Sequence, residues 1–150
     1  MIKLSRMADY AMLVLTRMAT DPGAVHNAVD LAAATGLPAP TASKVLARLG
    51  RYGLLESTRG NKGGYRLARA AAEISVEDIV AAIDGPVALT LCQEHTAGPC
   101  EFEQNCASRS NLARVNQAVR RALSEVRLTD LMPAPVFSFG IENGPAARRP

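Results

Sequence analysis

Residues 27–67, NAVDLAAATGLPAPTASKVLARLGRYGLLESTRGNKGGYRL, decide the fold. Asn27 is a helix-capping residue type, and Asp30 follows at capping-box spacing, so a short helix opens here. Gly36 stops it. The next helix starts near Pro40, because proline suits a first turn. Ala42, Val45, Leu46 and Leu49 then fall at i, i+3, i+4 and i+7 and face a core. Lys44 and Arg51 lie nearly opposite, with Thr41, Ser43 and Arg48 flanking them, and Gly53 ends the helix. Residues 55–58 and 65–67 read as two strands. Residues 59–64 join them with three glycines and two cations. Short helices, a tight glycine turn, a helix with a polar outer face and a hairpin together predict a winged helix-turn-helix.

That arrangement carries chemistry. A helix enters the major groove, about 12 Å wide, and presents side chains to base edges. A glycine-rich tip brings backbone close to phosphate, and its cations reach phosphates or a narrow minor groove. Thr41, Ser43 and Lys44 are therefore expected at base edges, Arg48 and Arg51 near phosphates, and Arg59, Asn61 and Lys62 as wing contacts. Charge agrees with this. Residues 1–70 hold ten Lys/Arg against four Asp/Glu, whereas residues 71–150 hold seven against ten. The basic half favours a polyanion partner, double-stranded DNA before a membrane.

Outward from this unit, Ser5 is an N-cap for a first helix whose Met7, Tyr10, Ala11, Val14 and Met18 share one apolar face. Asp21-Pro22-Gly23 stops it. Ser75 and Asp78 open another capped helix, with Val76, Ile79, Val80 and Ile83 inward and Gly85-Pro86 at its end. The fold class is thus mainly α with a two-stranded wing. Its expected parts are a DNA-binding domain over 1–84, a cysteine loop over 85–107, a long dimerisation helix over 108–131 and a flexible tail over 132–150, where Phe137 and Phe139 are candidate anchors. Leu112, Val115, Val119, Ala122 and Val126 repeat at spacings of 3 and 4, the seam of a helix that pairs with a second copy or with its own core.

The cysteine loop contains all three cysteines, Cys92, Cys100 and Cys106, spaced C-x7-C-x5-C. An odd count argues against a disulfide framework. Their concentration on one polar, Gly/Pro-containing segment points to shared ligation by soft thiolates, which suits zinc, copper or an iron–sulfur cluster. The spacing matches neither a zinc finger nor a ferredoxin, and His95 lies nearby.

Other classes are disfavoured. The 150 residues suit one domain, and 48% hydrophobic content allows a core, built from Ala, Val, Leu and Met because Trp is absent. No apolar run nears the ~20 residues of a membrane span, and the N-terminus lacks the order of a secretion signal, so a cytoplasmic location is expected. No nucleophile–base pair or nucleotide loop suggests an enzyme.

Over roughly residues 1–130 the chain resembles the Rrf2 family of bacterial winged-helix transcriptional regulators. The resemblance rests on Met1-Ile2-Lys3-Leu4 with Asp9-Tyr10-Ala11, on Leu46-Ala47-Arg48-Leu49 with Gly53-Leu54-Leu55, and above all on Arg59-Gly60-Asn61-Lys62-Gly63-Gly64-Tyr65. Residues 74–85 and the three-cysteine loop follow in the family's order. It implies a homodimer that reads a palindrome, and an iron–sulfur cluster on Cys92, Cys100 and Cys106. In IscR-like members the fourth ligand is a His three residues after the third Cys; here that residue is Arg109, which does not ligate. In NsrR-like members it is an early carboxylate from the other chain, and Asp9 matches that position. The resemblance thus implies Asp9 of the partner subunit as fourth ligand, with His95 as rival, and favours a 4Fe–4S over a 2Fe–2S cluster. The expected function is a regulator, mainly a repressor, that senses cluster status and controls iron–sulfur assembly or iron homeostasis genes. Two alternatives stand beside it: a cluster-free or zinc-binding thiol-responsive DNA regulator, and a small iron–sulfur electron carrier, which has no use for the basic half.

Overall fold

The computed structural model describes residues 3–60, 63–93, 100–101 and 105–133. Among them, five helices and one antiparallel hairpin follow in the order α1 (Arg6–Ala19), α2 (Ala28–Thr35), α3 (Ala39–Tyr52), β1 (Leu55–Thr58), β2 (Gly64–Leu67), α4 (Val76–Asp84) and α5 (Arg109–Glu125). The mainly helical, winged helix-turn-helix expectation is what the structure shows.

The start and stop signals act as their chemistry predicts. Ser5 Oγ accepts from the Ala8 amide at 3.0 Å and caps α1. Asn27 Oδ1 accepts from the Asp30 amide at 2.8 Å, and its Nδ2 donates back to Asp30 Oδ2 at 2.6 Å. Gly36 and Gly53 close α2 and α3 at φ of +70° and +86°, a left-handed conformation that side-chain-bearing residues disfavour. Ser75 and Asp78 form a reciprocal capping box on α4.

The inward residues of α1, α3 and α4 make one core. Val14, Leu15, Met18, Val45, Leu46, Leu49, Leu54, Ile74 and Ile79 are buried together. α3 lies across α2 in the helix-turn-helix and also packs on α1 and α4. The hairpin pairs Leu55 with Leu67 and Thr58 with Gly64. A third segment lies on it, since His26 and Tyr65 exchange both backbone hydrogen bonds at 2.8 Å. At Gly64 a Cβ would stand 2.4 Å from the His26 carbonyl oxygen, so this close approach requires glycine.

α5 ends at Glu125, earlier than the long helix expected over 108–131. Val126 and Arg127 turn extended, and residues 126–128 pair with residues 74–76 through Val76 N to Val126 O at 2.9 Å and Leu128 N to Ile74 O at 2.8 Å. Leu128 is thereby fully buried in the core. Leu131 and Met132 pack against the same core, so Met132 is not part of a free tail. Residues 134–150, with Phe137 and Phe139, lie outside the described residues.

Candidate nucleic-acid interface and thiol segment

The outer face of α3 carries Ser43, Lys44, Ala47 and Arg51, all exposed, with Thr41 half-buried at its edge. Lys44 and Arg51, and Arg59 at the wing, have no hydrogen-bond or ion-pair partner among the described residues. Elsewhere the cations are spent on the fold. Arg66 grips Glu56 Oε2 across the hairpin through Nε at 2.9 Å and Nη2 at 2.7 Å. Arg69 meets Asp78 at 3.8 Å, and Arg120 meets Glu77 at 2.6 Å. Lack of a partner alone does not mark the interface, because Lys3, Arg6 and Arg114 also have none. The exposed stripe of α3 together with the wing forms the candidate face. Asn61 and Lys62 lie outside the described residues.

Two findings on α3 were not expected. Arg48 is half-buried, and its Nη1 donates to the Ile83 carbonyl at 2.8 Å, so it turns towards the end of α4. Position 48 sits on the flank where α3 meets α4, and the free carbonyls of a helix end attract a cation there. Ala47 occupies the centre of the exposed stripe, four residues from both Ser43 and Arg51, a periodicity already visible in the sequence. A cleft of about 550 Å³ opens beside it between α3 and the hairpin, lined by Ala47, Gly50, Arg51, Leu55, Ser57 and Tyr65.

The three thiols are free and half-buried. Cys92 lies in a short 3-10 turn, Leu91–Gln93, that packs on α5. Its sulfur is 3.2 Å from Thr90 Oγ1 and 3.9 Å from Gln93 Nε2. Cys106 lies in the turn that opens α5, where its carbonyl accepts from the Arg109 amide at 3.2 Å. Residues 94–99 and 102–104, His95 included, lie outside the described ones. Among the described residues no three His, Cys, Asp or Glu side chains of this chain form a metal-holding group. Asp9 is exposed in the first turn of α1.

The segment before Cys92 is fixed by a residue that the sequence reading passed over. Asn116 on α5 is 6% exposed. Its Oδ1 accepts from the Leu89 amide at 2.9 Å, and its Nδ2 donates to the Val87 carbonyl at 3.3 Å. Asn116 and Leu123 thus line the side of α5 turned to its own domain. The seam borders this side and turns outward from it. Val115, Ala122 and Val126 are exposed, while Leu112 and Val119 are half-buried.

No helix among the described residues is long and apolar enough to cross a membrane. Comparison with known proteins agrees with the fold described. The Rrf2 family, described as iron-dependent transcriptional regulator, matches residues 4–134. A putative HTH-type transcriptional regulator of Mycobacterium tuberculosis is 33% identical over 132 residues, covering 87% of this chain and 81% of that protein. The HTH-type transcriptional regulator NsrR of Geobacillus kaustophilus is 31% identical over 132 residues, covering 87% and 90%. The solved structure of CymR, the global cysteine regulator of B. subtilis, is similar with a TM-score of 0.67 at 25% identity, over 87% of this chain and 96% of that one. These relatives are regulators of transcription and not enzymes. The chain belongs to the Rrf2 family of winged-helix, DNA-binding transcriptional regulators.

Proposed function

We propose that this regulator is a homodimeric repressor whose operator affinity follows the state of an iron–sulfur cluster on Cys92, Cys100 and Cys106, and that it controls iron–sulfur assembly or iron homeostasis genes. One observation carries the reading. A reading helix and wing with unpartnered cations are followed by three free thiols on a segment anchored to α5. The donor chemistry fits, since thiolates hold such clusters and all three cysteines are free of disulfides and partly accessible. Asp9 of the partner subunit is the fourth ligand and His95 the rival; the outward exposure of Asp9 supports a role between chains. A 4Fe–4S cluster is favoured over 2Fe–2S. When bound, the cluster supplies a centre sensitive to iron supply, oxygen and redox state.

The chain's own residues do the rest. Thr41, Ser43 and Lys44 meet base edges, and Arg51 meets phosphate. Arg59, Asn61 and Lys62 make the wing contacts, and Arg48, drawn to α4, is left out of the contact set. The Leu112, Val115, Val119 and Ala122 face of α5 joins two copies on a palindrome. The exposure of Val115, 52%, supports this. Anaerobic native mass spectrometry tests the reading directly: a dimer carrying iron and sulfide mass is expected, and a colourless protein devoid of both, resistant to reconstitution, refutes it.

The likeness to CymR favours a second reading, a cluster-free regulator in which the same cysteines respond as thiols. It is distinguished by reversible oxidation that changes operator affinity in iron-free protein.

A further inference from the structure

Three helices grip one short segment. Arg48 of α3 donates to the Ile83 carbonyl at 2.8 Å, and Ser5 at the start of α1 donates to Asp84 Oδ1 at 2.9 Å. Gly85, at φ +96°, turns the chain out of α4. Asn116 of α5 then holds Val87 and Leu89 through both ends of its carboxamide. Cys92 follows three residues beyond Leu89. Residues 83–89 are therefore bonded at one end to the reading helix and at the other to the helix beside the thiols.

These links are directional. A hydrogen bond weakens steeply with lost alignment, so each transmits displacement in a way that apolar contact does not. Asn116 is also chemically specific. A buried carboxamide is unfavourable unless bonded, and here both of its groups are satisfied, which selects one arrangement. We propose that Asn116 and Arg48 are the positioning residues of a relay. Asn116 fixes the stem from which Cys92 projects, and Arg48 delivers movement of that stem to α3. The inference rests on the reading of the cysteines as the sensing group.

The test separates the two. Operator affinity is measured for wild type, Arg48→Met and Asn116→Leu, cluster-loaded and metal-free, across a salt series. Alkylation of Cys92 by iodoacetamide is followed by peptide mass in the metal-free proteins. The wild-type affinities of the two forms should differ about 5- to 150-fold. Arg48→Met should bring that ratio to within about twofold of one, with the visible spectrum and the salt slope unchanged. If the ratio persists and the slope instead falls by about 0.9, Arg48 is a phosphate ligand and the relay is overturned. Asn116→Leu should change the Cys92 alkylation rate and likewise collapse the ratio. Should it fail to fold, Asn116→Asp, which keeps the acceptor for Leu89 and loses the donor to Val87, carries the same expectation. Unchanged alkylation in both variants overturns the stem assignment. A wild-type ratio of one refutes the sensing reading itself, while the alkylation rates still decide the role of Asn116.

Discussion

Two glycines, one on the strand of Tyr65 and one on the helix that faces it, should respond to alanine with opposite signs. At Gly64 an added Cβ would lie 2.4 Å from the His26 carbonyl oxygen and 2.8 Å from its carbon, and must retreat beyond 3.0 Å. The His26 and Tyr65 hydrogen bonds, both 2.8 Å, span that contact and open with it. Each is worth about 0.5–1.5 kcal/mol, so their loss amounts to roughly 1–3 kcal/mol. Alanine recovers about 0.4–1 kcal/mol by restricting the unfolded chain, leaving Gly64→Ala destabilising by about 1.3 kcal/mol at mid-range. Gly50 sits inside α3, and its nearest neighbour to a new Cβ is Tyr65 Cε1 at 3.5 Å, an ordinary contact. Relief of the helical glycine penalty should make Gly50→Ala stabilising by ~0.5–1 kcal/mol. Urea titration at one fixed protomer concentration reads both, since a dimer's stability depends on concentration. The midpoint should fall for Gly64→Ala and rise for Gly50→Ala with the slope preserved. A Gly64→Ala midpoint at or above wild type would show that the hairpin yields freely at His26 and would refute the close-approach argument. Operator binding should weaken with Gly64→Ala, because the hairpin carries Arg59.

The site predictions are as follows. Cys100→Ala should abolish cluster retention with the fold largely intact, and normal iron and sulfide in that variant removes Cys100 from the ligand set. Asp9→Ala should alter the visible spectrum or shorten the cluster's lifetime in air; an unchanged spectrum and lifetime transfer the fourth ligand to His95. Arg59→Ala should weaken operator binding across sequences and lower the salt slope by about 0.9, the share of one phosphate. Equal affinity at every salt concentration counts against the wing contact.

What the sequence displays is what local rules govern. Asn27, Gly36, Gly53 and Ser75 act where their chemistry places them, and the strands differ from expectation by one residue, at Gly64. What it hides depends on distant partners. α5 ends at Glu125 because residues 126–128 find residues 74–76, a pairing that no local periodicity encodes. His26 joins the wing across nearly forty positions for the same reason. Asn116 reads as an ordinary polar helix residue until Val87 and Leu89 come to it. Arg48 reads as one more cation on the outer face until α4 offers it a carbonyl. For the thiols, residue type and order were legible, whereas their mutual placement runs through residues 94–99 and 102–104, outside the described ones.

The distribution of buried polarity fits what the proposed dimeric reader requires. Among the described residues the buried polar side chains are Ser75 and Asn116. Ser75 caps the start of α4 and its backbone bridges to Arg127 just beyond α5; Asn116 docks α5 on the segment that leaves α4. Apolar packing between α4 and α5 tolerates sliding and rotation, whereas bonds at both ends of α4 do not. In the proposed homodimer the outer face of α5 sets the distance between two reading helices, and half-sites on one face of the duplex lie about 34–36 Å apart. An error of one helical residue in the register of α5, ~1.5 Å, acts on both copies. A fixed register between α4 and α5 therefore bears on DNA affinity as well as on stability. This gives the two buried polar residues a physical reason to stand where leucine would bury more apolar surface.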